Sequence, residues 1–276
     1  MARPLLGVIH LRPLPSSSRS RGIDTVLSAA RRDAAAFQKG GIDGFVVENF
    51  GDAPFHKGCA ADPVPPDVPA ALAVVARQLK DEFGLPVGVN CLRNDGMAAL
   101  GAAAVAGASW VRVNVLTSAY VTDQGLIEGE AARLFAYRKQ LGSDVEVLAD
   151  FMVKHAAPLA EQDLAAAAKD LAQRSGASGM LLSGSRTGES VDVALFDTVR
   201  RAVGKFPIWL GSGLDADNAA ELWPRCDGAI VGSSVKRGGR IDAPVDAARV
   251  AKLRAAVKAA DRSAAKSRRT ATRRPK

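Results

Sequence analysis

The sequence predicts an α/β fold, a closed (β/α)8 barrel, on three observations. Short β-branched runs recur eight times, Ala-rich amphipathic segments separate them, and the alternation fills about 255 residues, the usual size of such a barrel. The runs are apolar throughout rather than alternating, as strands covered on both faces require. A doubly wound open sheet would stop at roughly five to seven strands and open with a glycine-rich first turn. The first turn here, HLRPLPSSSRS, has no such fingerprint.

In chain order the strand runs are LLGVIH (5–10), GFVVEN (44–49), PVGVN (86–90), WVRVNV (110–115), VEVLADF (145–151), GMLLSG (179–184), PIWLGSG (207–213) and GAIVGSS (228–234). Helical patterning occupies 24–39, 67–83, 95–106, 128–141, 160–175, 191–204, 215–223 and 244–260. Gly40-Gly41, Gly84, Pro86, Gly107, Gly142, Gly176 and Pro207 supply stop signals at the helix-to-strand junctions. The longest strand-to-helix connections, 10–23 and 49–66, fall on the face where barrels keep their active sites, and loops of that length are uncommon unless functional.

One domain, 1–257, holds all eight units, and 258–276 is read as a basic tail without regular structure. The formal charge of +8 resembles a nucleic-acid footprint, but 258–276 carries eight Lys or Arg against one Asp, leaving 29 basic and 28 acidic groups in the rest. The body is therefore nearly neutral, and nonspecific affinity for anionic polymers is assigned to the tail alone. Cys59, Cys91 and Cys226 are odd in number, widely spaced and without CxxC pairing, so neither a disulfide framework nor a zinc knuckle is indicated. The longest apolar stretch, 97–111, is short of a membrane span, and the N-terminus lacks a signal-peptide layout. The expected location is the cytoplasm, with a peripheral membrane association left open.

Residues that end barrel strands converge on one face, and here they are polar. The first run ends in His10 and the second in Glu48-Asn49, with Asp52 and His56 behind. Asn90 ends the third, followed by Arg93. The fourth carries Arg112 and Asn114, with Asp123 beyond it, the fifth carries Asp150 and then Lys154-His155, and the sixth ends in Ser183 with Thr187 after it. All three histidines are placed on this face. Arg112 and Asp150 interrupt apolar runs, where an unpaired charge would cost several kcal/mol. A structural ion pair between them and direct substrate contact are the two readings. The runs at 207–213 and 228–234 end in Gly211-Ser212-Gly213 and Gly232-Ser233-Ser234, the positions where barrels build phosphate sites from bare backbone amides.

These blocks resemble one family. GVIHLRPLP (7–15), GGIDGFVVENFGDAPF (40–55), GVNCLRND (88–95), VRVNVLTSAYVTDQG (111–125), ADFMVKHAAPL (149–159), SGSRTG (183–188), GSGL (211–214) and DGAIVGSSVK (227–236) are similar to successive blocks of the BtpA/SgcQ family, over about residues 4–250. The resemblance implies a phosphate-binding TIM barrel of the ribulose-phosphate-binding type. It implies no single reaction: one cyanobacterial member is tied to photosystem I biogenesis at the thylakoid, and another branch carries a nucleosidase name. Cys91 stands where an aliphatic residue is expected, away from the polar face.

The function expected is an enzyme (hydrolase, lyase or isomerase) acting on a small phosphorylated sugar or nucleoside-derived metabolite. Glu48 and Asp150 are assigned to proton transfer, with His155 or His10 as partner. Asn49, Asn90, Arg112, Asn114, Asp123, Ser183 and Thr187 are assigned to substrate, and Gly211, Ser212, Gly213, Gly232, Ser233 and Ser234 to phosphate. Lys154 could form a Schiff base, hold a second anion, or point to water. In a hydrolase of N-glycosidic bonds, Asp150 would activate water. No cofactor is indicated. His10, Glu48, Asp150 and His155 admit a divalent metal, without a recognised ligand spacing. A noncatalytic biogenesis factor is the alternative, and a homo-oligomer is admitted.

Overall fold

The computed structural model describes residues 3–184 and 191–271, with side chains to residue 266. Among the described residues, eight parallel strands close into a barrel. They are β1 (Leu5–His10), β2 (Gly44–Glu48), β3 (Val87–Asn90), β4 (Trp110–Val113), β5 (Glu146–Phe151), β6 (Gly179–Leu182), β7 (Ile208–Leu210) and β8 (Gly228–Val231). Each pairs with its neighbours in sequence, and β8 returns to β1 through Leu5, Leu6 and Gly7 opposite Ala229, Ile230 and Val231. The helices between and after them are α1 (Ile23–Gly40), α2 (Asp67–Phe83), α3 (Gly96–Ala106), α4 (Ala131–Gln140), α5 (Leu164–Arg174), α6 (Val193–Val203), α7 (Ala219–Leu222) and α8 (Ala247–Ala271).

Local chemistry sets the helix ends. Asp95, Asp163 and Asp192 each accept a backbone N–H from the first turn of α3, α5 and α6, a cap that stabilises a helix by about 1 kcal/mol. Gly41 closes α1 at φ 88, a left-handed value that a side chain would strain.

The closed sheet separates two cores. Outward strand residues such as Ile9, Phe45, Val47, Val89, Val111, Val147 and Leu182 pack with the apolar stripes of the helices. Inward residues Leu6, Val8, Val46, Trp110, Leu148, Leu181 and Ile230 form a separate plug, with Trp209 against it. Size matching makes the plug possible. A Cβ on Gly88 would fall 1.9 Å from Trp110 Nε1, and one on Gly228 would fall 2.5 Å from the Trp209 ring, so both indoles occupy space that only glycine leaves open.

Two features depart from the sequence expectation. The loops after β4 and β5 share a three-stranded antiparallel sheet, a hairpin of Ala119–Thr122 and Gly125–Glu128 joined by Ala156–Pro158. Glu128, the first residue of the helix expected at 128–141, belongs to this hairpin, and α4 starts at Ala131. Residues 258–271, expected to lack regular structure, continue α8 past the boundary at 257. Alanine, lysine and arginine are strong helix formers and need no apolar face to extend a helix already anchored by Val250, Leu253 and Val257.

Candidate active site

Period-two geometry builds the site. On β1, Leu6 and Val8 face the barrel axis, so His10 is the next residue on that face. By the same count Glu48 follows Val46, Asn90 follows Gly88, Arg112 follows Trp110, Asp150 follows Leu148, and Ser183 follows Leu181. His10, Glu48, Asn90 and Arg112 are successive register partners across four strands. The equivalent positions after Trp209 and Ile230 are Gly211 and Gly232. A polar layer thus caps the apolar plug, and two of its eight positions carry no side chain. Above it lies a cavity of about 790 Å³ lined by His10, Glu48, Arg112, Asp150 and both glycines.

The polar layer is wired internally. Arg112 donates from Nε and Nη2 to the two Asp150 carboxylate oxygens, both at 3.0 Å, and Asn114 Nδ2 donates to Asp150 Oδ2 at 2.6 Å. Burial opposes the Arg112 charge, but Asp150 and Glu48 more than offset it and hold the guanidinium above its ordinary value. Glu48 accepts from Asn90 Nδ2 through Oε2 at 2.6 Å, while its Oε1 lies 3.7 Å from His10 Nε2. Burial, and then the cations Lys236, Arg112 and Lys154, push His10 well below the usual imidazole value, so it is neutral at pH 7. Burial, with Arg112 beside it, lowers Lys154 to about 8 against the pull of Asp150 and Glu48. Met152 and His155 flank Lys154 at φ 59 and φ 53, left-handed values whose strain is typical of functional loops.

The two glycine–serine loops form one wall. Ser234 Oγ donates to Leu214 O at 2.8 Å, which ties the β8 loop to the β7 loop. Asn218 Nδ2 donates to Gly213 O, and Arg249 Nε to Ser234 O. A Cβ at 211 would fall 2.7 Å from Ser183 Oγ, and one at 232 would fall 2.9 Å from His10 Cε1. Five buried polar atoms of this mouth have no hydrogen-bond partner among the described residues: His10 Nδ1, Asn90 Oδ1, Asn114 Oδ1, Ser183 Oγ and Ser212 Oγ. Buried polar groups are normally paired, so this concentration sets the mouth apart from a settled core.

Most of the sequence candidates meet here. His10, Glu48, Arg112, Asn114, Asp123, Asp150, Lys154, His155, Gly211, Ser212, Gly213, Gly232, Ser233 and Ser234 line the cavity. Asn90 and Ser183 lie in the layer beneath. Asn49 does not reach it. Its amide is spent on the β3 loop, accepting from Leu92 N at 2.7 Å and donating to Leu92 O and Asp52 Oδ2. His56 does not line the cavity either. It is exposed and pairs with Asp62 at 2.8 Å, so two histidines rather than three line the cavity. Thr187 lies outside the described residues. The metal reading is not supported by the geometry, because among the described residues no three His, Cys, Asp or Glu side chains are grouped to hold an ion. The structure adds Phe50, Phe55, Arg249 and Lys252 to the lining, and Arg93, placed on this face from sequence without a role, lines it too. Arg249 and Lys252 come from α8, which carried no motif.

Comparison with known proteins agrees with this architecture. The BtpA family model matches residues 1–259. The photosystem I biogenesis protein BtpA of Synechocystis is 44% identical over 248 residues, 90% of this chain and 85% of that protein. An uncharacterized protein of Thermococcus kodakarensis is 44% identical over 252 residues, 91% of this chain and 94% of its own length. Among solved structures, N-(5'-phosphoribosyl)anthranilate isomerase from Pyrococcus furiosus superposes with a TM-score of 0.56 at 16% identity, covering 93% of this chain and 100% of that one. Tryptophan synthase from M. tuberculosis is 19% identical and covers 92% of each chain at a TM-score of 0.55. At such identities the likeness is one of fold.

Proposed function

This chain belongs to the BtpA family, and we propose that it is an enzyme acting on a small phosphorylated metabolite by acid–base chemistry. One observation carries the proposal: a cavity-facing carboxylate, Glu48, shares a single strand-end layer with two side-chain-free positions, Gly211 and Gly232. The phosphate sits between loops 211–213 and 232–234, where backbone amides and the Ser212 and Ser233 hydroxyls reach it, with Arg249 on the same wall and Lys252 beside it paired with Asp217 at 3.5 Å. The sugar or nucleoside carbons then lie over β1 to β5.

Glu48 is the proton acceptor. Asn90 fixes one of its oxygens and leaves the other near a neutral His10, which can take part in proton transfer without first losing a proton. Asp150, assigned a similar role from sequence, has both oxygens committed to Arg112 and Asn114. Its role becomes that of anchoring Arg112 toward the substrate. N-glycosidic hydrolysis is one member of the reaction class, with Glu48 rather than Asp150 activating water.

Thermal-shift screening against phosphorylated sugars and nucleosides identifies the ligand, and turnover follows on the hits. A Glu48→Gln variant should keep the ligand-dependent shift and lose about 10²- to 10⁴-fold in turnover, the usual worth of a positioned base. Unchanged turnover would refute the assignment.

The name of the Synechocystis relative favours a second reading, a biogenesis factor in which the cavity binds ligand without turnover. Ligand binding that protects the protein, with no product from any hit, would select it. No helix among the described residues is long and apolar enough to cross a membrane. We place the protein in the cytoplasm, with the basic segment 258–276 as a nonspecific contact for anionic surfaces or polymers.

A further inference from the structure

We propose that Arg93 and Lys154 form a second anion subsite in the same cavity, so that the substrate carries two anionic groups, a phosphate on the glycine–serine loops and a carboxylate or second phosphate at the β3–β5 side. The inference rests on the phosphate reading above and specifies the class of substrate.

Arg93 is 8% exposed and lines the cavity. Its guanidinium makes no ion pair among the described residues. Asp150, Asp123 and Glu48 act on it only through space, and its one hydrogen bond runs from Nη2 to Lys154 O at 2.7 Å. The Lys154 ammonium likewise lacks a carboxylate partner among the described residues and lines the same wall. For Arg93, a buried cation without a counter-charge is costly, and Lys154 beside it is half-buried. Arg112, one layer down, shows the alternative, since it is neutralised by Asp150 through two bonds. The uncompensated pair is therefore the one available to a ligand.

The backbone that presents Arg93 is clamped on both sides. Asn49 brackets Leu92 through its N–H and C=O. Asn94 accepts from Val115 N at 2.7 Å and donates to Val115 O at 3.0 Å. Arg93 N itself donates to His56 O. Two buried asparagines thus hold the residue on either side of a lone arginine, and Arg93 in turn fixes the Lys154 loop. Such pre-organisation lowers the cost of binding. A guanidinium with free donors suits the two oxygens of a carboxylate or phosphate.

The test is titration calorimetry of the full chain at one ionic strength with three probes: ribose 5-phosphate, ribulose 1,5-bisphosphate and 3-phosphoglycerate. At least one probe with two anionic groups should bind about tenfold or more tighter than ribose 5-phosphate, the scale of a charge-assisted contact. Whether the bisphosphate or the phosphocarboxylate gains identifies the second group. Arg93→Gln and Lys154→Gln should each remove most of that gain while leaving ribose 5-phosphate within about twofold. Should Arg93→Gln fail to fold, Lys154→Gln alone decides the matter. No gain for either probe with a second anionic group, or a gain that survives in Lys154→Gln, overturns the subsite. Failure of ribose 5-phosphate to bind at all overturns the phosphate reading and this proposal with it.

Discussion

Replacing Arg112 with methionine keeps most of the side chain's length and removes its charge, which leaves the Asp150 carboxylate with Asn114 as its remaining partner. Both members of the pair are nearly enclosed, at 9% and 5% side-chain exposure, so solvent screens the stranded carboxylate poorly. Breaking a buried pair from one side costs about 3–5 kcal/mol. At roughly 2–4 °C per kcal/mol for a chain of this size, Arg112→Met should lower Tm by about 6–20 °C. Most of that cost is the stranded carboxylate rather than the lost contact. Combining Arg112→Met with Asp150→Asn removes both charges and should therefore recover at least half of the loss. Thermal and urea denaturation of the wild type, both singles and the double variant close the cycle. A single-variant loss below about 1 kcal/mol, or a double variant whose loss equals the sum of the singles, would show that the pair is not the frame of the site.

Gly232→Ala places a Cβ 2.9 Å from His10 Cε1, so the imidazole must shift; a loss of tenfold or more in ribose 5-phosphate affinity with a stability change of only about 1–3 kcal/mol is expected, and unchanged affinity by calorimetry would contradict it. His10 gives a pH prediction. Burial, and then nearby cations, hold its folded pKa well below 6.5, so between that value and 6.5 the unfolded chain binds a proton the folded chain does not. Stability is then lost as pH falls through this window. Tm curves of wild type and His10→Gln should converge or cross in the variant's favour between about pH 7 and 5, whereas a pH-independent difference would refute the assignment.

Strand order and closure were readable in the sequence because both faces of each strand are covered, which leaves eight apolar runs punctuated by glycine and proline. The polar layer was readable for the same reason. His10, Glu48, Arg112 and Asp150 break apolar runs at positions in phase with an inward residue. Asn49 was misassigned because it ends the run GFVVEN, yet it is out of phase with Val46 and Glu48 and so faces away from the cavity. Loops have no such periodicity. His56 could not be placed without the fold, and the hairpin around Asp123 was read as the connection after the fourth run and the start of a helix because its strands are only four residues each. Arg249 and Lys252 reach the cavity beside the glycine–serine loops from a helix that begins after the last strand. Only barrel closure brings that helix beside the β7 loop.

The most direct test of the account is a crystal structure of the protein soaked with ribose 5-phosphate. The account predicts phosphate density between loops 211–213 and 232–234, with the sugar extending over the polar layer toward Glu48. Phosphate density confined to the outer helical surface, or seated only on Arg93 and Lys154 with the glycine–serine wall bare, would contradict it.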